Sequence, residues 1–201
     1  MAKNARYRVQ VRRRREGKTD FKARKALILS SLPRLVTRGS LKNITAQIVI
    51  AKPKGDEVLV AAHTSELREK YNWKAPTGNV PSAYLIGFLC GLKAKKEGIT
   101  KAVLDIGLTA PTKGSRLFAV LNGALEAGIE VPCDESKLVK DRSKGDHIAK
   151  YGKILGAGSE EYAATFSKYL GQELSPEKIP EHFSKIKADI TNSFKNEVKK
   201  E

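Results

Sequence analysis

The stretch PSAYLIGFLCGLKAKKEGITKAVLDI, residues 81–106, predicts a long helix followed by a buried strand. Pro81 suits the first helical position, and Gly98 suits a left-handed cap at the end. Between them, apolar side chains recur every three or four residues, at Leu85, Phe88, Leu89 and Leu92. Residues 101–106 (KAVLDI) then form a short apolar run, which is typical of a fully buried strand. A helix leading into such a strand is half of a β-α-β unit.

Three β-branched segments precede this helix and complete the predicted sheet. They are residues 34–38 (RLVTR), 44–51 (ITAQIVIA) and 57–64 (EVLVAAHT), separated by turn residues at 39–40 and 53–56. We expect an antiparallel meander, joined through the helix at 81–97 to a parallel strand at 101–106. Residues 67–79 are expected to be a polar connector with a short helical turn at most.

Helices are also predicted after the buried strand. A helix containing Leu117, Phe118, Leu121 and Leu125 should end at Gly128. Beyond Pro132 the chain becomes polar, with helical stretches near 146–155, 159–170 and 176–199. The last is amphipathic, with an apolar stripe of Ile179, Phe183, Ile186, Ile190, Phe194 and Val198. This stripe favours packing on the core, with contact to a partner as the alternative.

These patterns predict an α/β layer sandwich with a mixed sheet, made of an antiparallel meander plus a parallel strand. A basic extended N-terminal arm precedes this body, and a helical C-terminal extension follows it. The expected boundaries are 1–26 for the arm, 27–131 for the body and 132–201 for the extension.

The arm concentrates the positive charge of the chain. Its first twenty-five residues hold eleven Lys and Arg against two acids, a charge of +9 out of +16 for the whole chain. Like charges this dense repel one another, so we expect the arm to stay extended until it meets a polyanion such as RNA. Tyr7 and Phe21 lie among the cations and could stack on unpaired bases.

Other interpretations of the arm remain open at this point. A basic run of this length also occurs in solvated tails and in nuclear-import signals. The rest of the chain is basic too, at +7, which favours a nucleic-acid partner. A DNA-binding architectural protein is a second class, although neither a recognition-helix nor a zinc-finger pattern is found.

Membrane, secreted and metal-dependent classes find little support. No segment approaches the roughly 18 apolar residues of a membrane span, and the charged start does not resemble a secretory signal, so we expect an intracellular protein. Cys90 and Cys133 are far apart, and neither has metal-ligand spacing to another Cys or His. Cys90 is expected to be a buried apolar residue, and His63, His147 and His182 to be surface or capping residues. No cofactor and no metal are predicted.

The loop from Asp105 to Arg116 (DIGLTAPTKGSR) places Lys113, Ser115 and Arg116 where a strand ends and a helix begins. Free N–H groups at a helix start favour an anion such as phosphate. The order of Lys113 and Gly114 does not fit a P-loop. Asp105–Thr109 also resembles the DxGxT turn of actin-like and sugar kinases, but one short string is weak support for a phosphotransferase.

Two arginines bracket the first predicted strand. Because side chains alternate along a strand, Arg34 and Arg38 should share one face with Val36. With Lys42 nearby, they could form a basic rim that continues the arm.

Several ordered motifs together resemble a known family. They are YRVQVRRRREGKTDF (7–21), PRLVTR (33–38), KYNWKAPTGN (70–79), PSAYLIGFLCGLKA (81–94) and AVLDIGLTAPTKGSR (102–116). The sequence resembles the archaeal and eukaryotic form of the large-subunit ribosomal protein family L eighteen, through at least residues 6–155.

This resemblance implies a non-enzymatic constituent of the large subunit, in the cytoplasm on the ribosome. It would bind 5S rRNA and attach it to the 23S-type large-subunit rRNA in the central protuberance, beside neighbouring ribosomal proteins and without membrane or DNA. With the basic and aromatic residues noted above, it gives the following predicted rRNA-binding residues: Arg6, Tyr7, Arg8, Arg12, Arg13, Arg14, Arg15, Lys18, Phe21, Lys22, Arg24, Arg34, Arg38, Lys42, Trp73, Lys74, Lys113, Ser115 and Arg116.

Overall fold

The fold is that of a computed structural model that describes residues 4–5, 7–139 and 142–198, with only the backbone of 196–198. The strands are Arg34–Gly39 (β1), Ile44–Lys52 (β2), Gly55–His63 (β3) and Val103–Asp105 (β4). The helices are Arg12–Arg15 (α1), Phe21–Leu29 (α2), Thr64–Tyr71 (α3), Val80–Lys96 (α4), Arg116–Glu126 (α5), Asp146–Leu155 (α6), Glu160–Thr165 (α7), Ser167–Leu170 (α8) and Ile179–Val198 (α9). Short 3₁₀ turns cover Glu135–Lys137 and Pro176–Lys178.

The four strands form one mixed sheet in the order β3-β2-β1-β4. β1 pairs antiparallel with β2, and β2 pairs antiparallel with β3, as a meander should. β1 pairs parallel with β4, with Arg34 opposite Val103 and Val36 opposite Asp105. The predicted α/β class with a mixed sheet is therefore confirmed, although β4 is shorter than the predicted strand.

Two helices cover one face of the sheet. α4 packs on β2 and β3, and α5 packs on β1. The helices touch backbone to backbone, because a Cβ atom on Gly87 would lie 1.9 Å from the carbonyl oxygen of Val120. A Cβ atom on Gly123 would lie 2.1 Å from the carbonyl oxygen of Tyr84. Glycine is thus required at the crossing of α4 and α5.

The caps of α4 follow the sequence closely. The Asn79 side chain accepts a hydrogen bond from the backbone N–H of Ser82, at 2.9 Å, and fixes the start of the helix. Pro81 is the second helical residue rather than the predicted first. Gly98 has φ +73°, as expected for a left-handed cap. Cys90 lies on this helix and is fully buried, as predicted, and burial raises the pKa of its thiol to about 12.

The eight-residue helix α3 extends into the segment predicted as a connector, so that prediction was wrong for residues 67–71. The reason is a cap at His63, a residue type that seldom signals a helix start. Its Nδ1 accepts from the N–H of Ser65 at 3.2 Å, while Glu66 accepts from the N–H of His63 at 3.1 Å. This reciprocal pair satisfies two free N–H groups at the start of α3.

The C-terminal extension packs on the main core. Four residues of the predicted stripe are buried, namely Ile179, Phe183, Ile186 and Ile190, and Phe194 is partly buried against the same cluster. The preference for packing is therefore confirmed, whereas the side chain of Val198 lies outside the described residues. The Tyr84 and Phe183 rings lie 5.5 Å apart and join α9 to α4.

The arm is less extended than the sequence suggested. Asp20 accepts hydrogen bonds from the N–H groups of Lys22 and Ala23, at 2.9 and 3.1 Å, and so caps α2. This local cap outweighs the mutual repulsion of the basic side chains over Phe21–Leu29. No side chain of α2 is buried. The helix also crosses residue 26, where the predicted arm ended.

Candidate nucleic-acid interface

The face of the sheet opposite α4 and α5 lies beneath α2. β1 places Arg34, Val36 and Arg38 on this face, as the alternation along the strand predicted. A cleft of about 870 Å³ separates the face from α2, and we call it the α2 cleft. Its walls include Ala23, Arg24 and Leu27 of α2, Val36, Gln47, Val49 and Val58 of the sheet, and residues 105–109.

A ladder of alternating arginines and aspartates crosses the α2 cleft. Arg24 binds Asp56 through both terminal nitrogens, at 2.9 and 2.5 Å. Asp56 also accepts from Arg34 at 2.7 Å, and Arg34 donates to Asp105 at 2.8 Å. Asp105 finally pairs with Arg38 at 3.2 Å. The ladder therefore connects the arm to the sheet and holds three guanidinium groups in fixed positions.

The ion pairs of the ladder change the pKa values of Asp56 and Arg24, the two members nearest the arm. The hydrogen bond from Arg24 is the main cause that lowers the pKa of the Asp56 carboxyl to about 2. The bond from Arg34 and the charges of both arginines act in the same direction. Asp56 in turn raises the pKa of Arg24. Both groups therefore remain charged at neutral pH.

Arg38 is the accessible end of the ladder. Its side chain is 48% exposed, while its Nη1 donates to the carbonyl oxygens of Thr37 and Asp105, at 2.8 and 2.9 Å. Gly107 lies against the guanidinium with φ +63°, and a Cβ atom there would lie 3.2 Å from Cζ of Arg38. The turn after β4 therefore fixes an exposed cation at the edge of the α2 cleft.

The arm carries cations that have no partner within the described chain. Arg12 and Lys18 pair with Glu16 at 3.8 and 2.9 Å, and Arg13 donates to Thr19. Five other exposed cations form no side-chain hydrogen bond or ion pair with any described residue, and we call them the free arm cations: Arg8, Arg14, Arg15, Lys22 and Lys25. Their charge is available to an external anion.

Two overlapping segments of the chain, residues 5–98 and 92–134, match the family model described as ribosomal large subunit proteins 60S L5 and 50S L18. The chain belongs to this family. Together the segments cover well over half of the chain, including the arm, the sheet and α5, and they end before α6.

Membership of the 60S L5 and 50S L18 family identifies a structural component of the large ribosomal subunit. Ribosomal RNA and other ribosomal proteins are therefore its partners, and the predicted location on the cytoplasmic ribosome is confirmed. No helix in the described part of the chain is long and apolar enough to span a membrane. The described ranges also contain no group of three or more His, Cys, Asp or Glu residues that could hold a metal ion.

Within this ribosomal protein, several predicted RNA-binding residues are accessible. The arm residues Tyr7 and Phe21 are 50% and 36% exposed. Lys42, at the turn between β1 and β2, and Lys113, before α5, are also exposed. Arg6 lies outside the described residues.

The structure places Arg34 inside the ladder and not on an exposed basic rim. Its side chain is only 2% exposed, and its two terminal nitrogens bind Asp56 and Asp105. Asp56 and Asp105 are distant from Arg34 along the chain, so no local sequence pattern indicated these ion pairs. Arg34 was therefore expected to be an exposed part of a basic rim. Arg34 is instead a buried link of the ladder, and its contact with rRNA stays a prediction.

Trp73 makes an internal contact, and its role in binding rRNA stays a prediction. It is 1% exposed, and its ring stacks on His182 of α9 with centroids 5.0 Å apart. The adjacent backbone N–H of Lys74 donates to His182 Nε2 at 3.1 Å, and Lys74 Nζ lies 3.9 Å from Glu173. The KYNWKAPTGN motif therefore docks the C-terminal extension.

Arg116 and Ser115 begin α5 and are partly buried. Arg116 Nη1 donates to the carbonyl oxygens of Ser40 and Gly78, at 3.0 Å each, and so ties the β1–β2 turn to the loop before α4. Ser115 Oγ is buried without a hydrogen-bond partner in the described chain. Lys113 is thus the most accessible cation of this predicted anion site.

Sequence reasoning missed Gln47, Asp56 and Asp105, which line the α2 cleft. The two aspartates looked like ordinary turn and strand-end residues, and only the pairing of β1 with β4 places Asp105 beside Arg34 and Arg38. One signal was present. A buried strand that ends in Asp next to a strand bracketed by two arginines suggests an ion pair across the sheet.

Proposed function

We propose that this protein binds 5S rRNA and attaches it to the large-subunit rRNA in the central protuberance. The proposal extends the family assignment, which itself covers ribosomal large-subunit proteins more broadly. It also includes a structural role without enzymatic activity. The observation that carries it is the set of free arm cations together with Arg38, a preorganised and exposed cation of the sheet.

The free arm cations supply binding energy that does not depend on sequence. Each Lys or Arg that neutralises a phosphate releases a condensed counterion, so affinity falls steeply as salt rises. Tyr7 and Phe21 are exposed among these cations and can stack on unpaired bases. The arm, taken as residues 1–26, therefore acts as the anchor on RNA.

The body, taken as residues 27–131, supplies fixed geometry. Arg38 is held by Asp105 and by the turn at Gly107, so its guanidinium loses little freedom when it binds a phosphate. Lys42 and Lys113 add exposed cations. The extension, taken as residues 132–201, packs on the body through Trp73 and His182 and is proposed to meet neighbouring proteins.

A salt titration of RNA binding tests the proposal. The affinity of the full chain for 5S rRNA is compared with that for an unrelated folded RNA and a duplex DNA of similar length, between about 50 and 200 mM salt. One variant changes the five free arm cations to Gln. The matched control changes five exposed lysines of the extension to Gln: Lys144, Lys150, Lys153, Lys168 and Lys178.

We expect the full chain to prefer 5S rRNA. The arm variant should have a flatter dependence of log affinity on log salt, by roughly 0.7–0.9 for each phosphate that the arm no longer neutralises. The control carries the same charge change and should keep the original slope. Equal affinity of the full chain for 5S rRNA and the unrelated RNA would contradict the proposal.

A further inference from the structure

The α2 cleft has an apolar floor and an apolar roof. The floor consists of Val36, Val49 and Val58 on three adjacent strands, and the roof of Ala23, Ala26 and Leu27 on α2. The volume of about 870 Å³ lies within the range of sites that enclose a small organic group. A flat, largely apolar group could therefore lie between the sheet and the helix.

Gln47 places one polar group on this floor. It lies between Val36 and Ala61 across the strands and is partly buried. Its side-chain amide forms no hydrogen bond with any described residue. An amide offers both a donor and an acceptor, which is the pattern that matches the edge of a nucleobase.

Charged side chains surround this floor, with five cations (Arg13, Lys18, Arg24, Arg34 and Arg38) against three carboxylates (Asp20, Asp56 and Asp105), so the net charge is positive. Arg38 lies at the sheet side, and Arg13 and Lys18 line the same cleft from the arm. Arg34 also lines it, and its buried Nε has no partner in the described chain. A phosphate at the mouth would therefore meet positive charge while the attached base lies on the apolar floor.

We propose that the α2 cleft binds a single unpaired nucleotide of the RNA, with its base between the valine floor and α2, its edge on Gln47 and its phosphate beside Arg38. Single-stranded positions in RNA are commonly recognised in this way, by splayed bases that are contacted on a face and an edge. The inference rests on the proposed function and adds the kind of nucleotide that this surface selects.

The arm helix makes such a site accessible. α2 has no buried side chain, and its polar connection to the sheet is the pair of Arg24 with Asp56. Movement of α2 about this pair would admit a base at little cost in buried apolar surface. Ser31, in the short segment between α2 and β1, already has a left-handed backbone with φ +57°.

Two variants of the full chain test the site without changing its charge. Val58→Phe fills the cleft from a half-exposed position, and Gln47→Ala removes the amide without adding volume. Leu170→Phe on the extension is the matched control for added aromatic surface. Affinity for 5S rRNA, the salt slope and chemical probing of unpaired nucleotides are measured, with thermal unfolding as a check of folding.

We expect both variants to bind about tenfold more weakly, with an unchanged salt slope, and to expose one nucleotide that the wild type protects. Leu170→Phe should behave as wild type. If both folded variants keep the wild-type affinity and protection pattern, the nucleotide site is refuted while RNA binding stands. If the wild-type chain shows no preference for 5S rRNA, the proposed function fails, and this inference fails with it.

Discussion

Arg34 donates a hydrogen bond of 2.8 Å to Asp105 from the neighbouring parallel strand, in a site where the arginine is almost completely buried. The second carboxylate on Arg34, from Asp56, lies closer to solvent. This arrangement neutralises the centre of the sheet face and leaves Arg38 as its exposed cation.

Removing Asp105 should therefore destabilise the fold strongly. In Asp105→Ala, Arg34 keeps a buried charge with only one partner, and we expect a loss of about 3–5 kcal/mol in the free energy of unfolding. Urea denaturation measures it. Glu130→Ala breaks the exposed pair with Lys101 and is the control, with an expected loss of about 1 kcal/mol or less. Equal, small losses in both variants would show that the buried pair contributes little.

The docking of α2 should depend on acid pH through Asp56. Because the pKa of this carboxyl falls from 3.8 to about 2 in the folded chain, its stabilising effect is present above pH 4 and is lost as pH falls toward 2. Hydrogen exchange of the α2 amides should accelerate over that interval beyond the intrinsic pH effect. Asp56→Asn should show fast exchange already at pH 5, whereas Glu57→Gln, which breaks the adjacent pair with Lys52, should not.

The docking of the C-terminal extension should weaken in mild acid. Burial, followed by the charges of Lys185 and Lys74, lowers the pKa of His182 below its ordinary value of 6.5. The unfolded chain therefore binds the proton more readily, and stability falls as pH drops below about 6.5. Protonation would also remove the acceptor that holds the N–H of Lys74.

Unfolding of the wild type and of His182→Gln, followed by Trp73 fluorescence between pH 7.5 and 5, measures this effect. His147 also has a pKa lowered by burial, so His147→Gln is the parallel variant that separates the two contributions. We expect a smaller pH dependence in His182→Gln than in wild type. An identical pH dependence in both would exclude His182 as its source.

The crossing of α4 and α5 should not tolerate a methyl group. Gly87→Ala places a Cβ atom against the backbone of Val120, which cannot rotate away, so the helices must separate. We expect a loss of about 1–3 kcal/mol or more in the free energy of unfolding. Gly39→Ala is the control, since its Cβ atom would meet only ordinary contacts near 3.9 Å. A stable Gly87→Ala variant would mean that the two helices pack less closely than described.

The parts of the fold that follow from local sequence patterns were predicted well. The apolar spacing of α4 and α5, the alternation of β1 and the stripe of α9 each reflect a periodicity that the chain itself displays. α3 was missed because its cap is a histidine, and α2 because its single strong cap, Asp20, lies within a highly basic segment. Both caps are local interactions. A histidine cap and a cap inside a basic segment are nevertheless hard to recognise from the sequence.

The site was predicted less completely, because burial depends on partners that are distant along the chain. Arg34 and Trp73 both looked like binding residues, one cationic and one aromatic. Arg34 is buried by Asp105, seventy-one positions away, and Trp73 stacks on His182 of the last helix. Most arm cations are exposed, because the arm holds only two acids, Glu16 and Asp20, against a dense run of like charge.

The limited packing of α2 on the body has a consequence for the rates of RNA binding. Residues 7–20 are almost all exposed and precede a helix that buries no side chain, so their charges face solvent. Exposed charge of one sign increases the rate of first encounter with a polyanion, whereas contacts made by preorganised groups prolong the bound state. We therefore expect substitutions of the arm cations to lower the association rate constant for RNA. Substitutions around Arg38 should instead raise the dissociation rate constant.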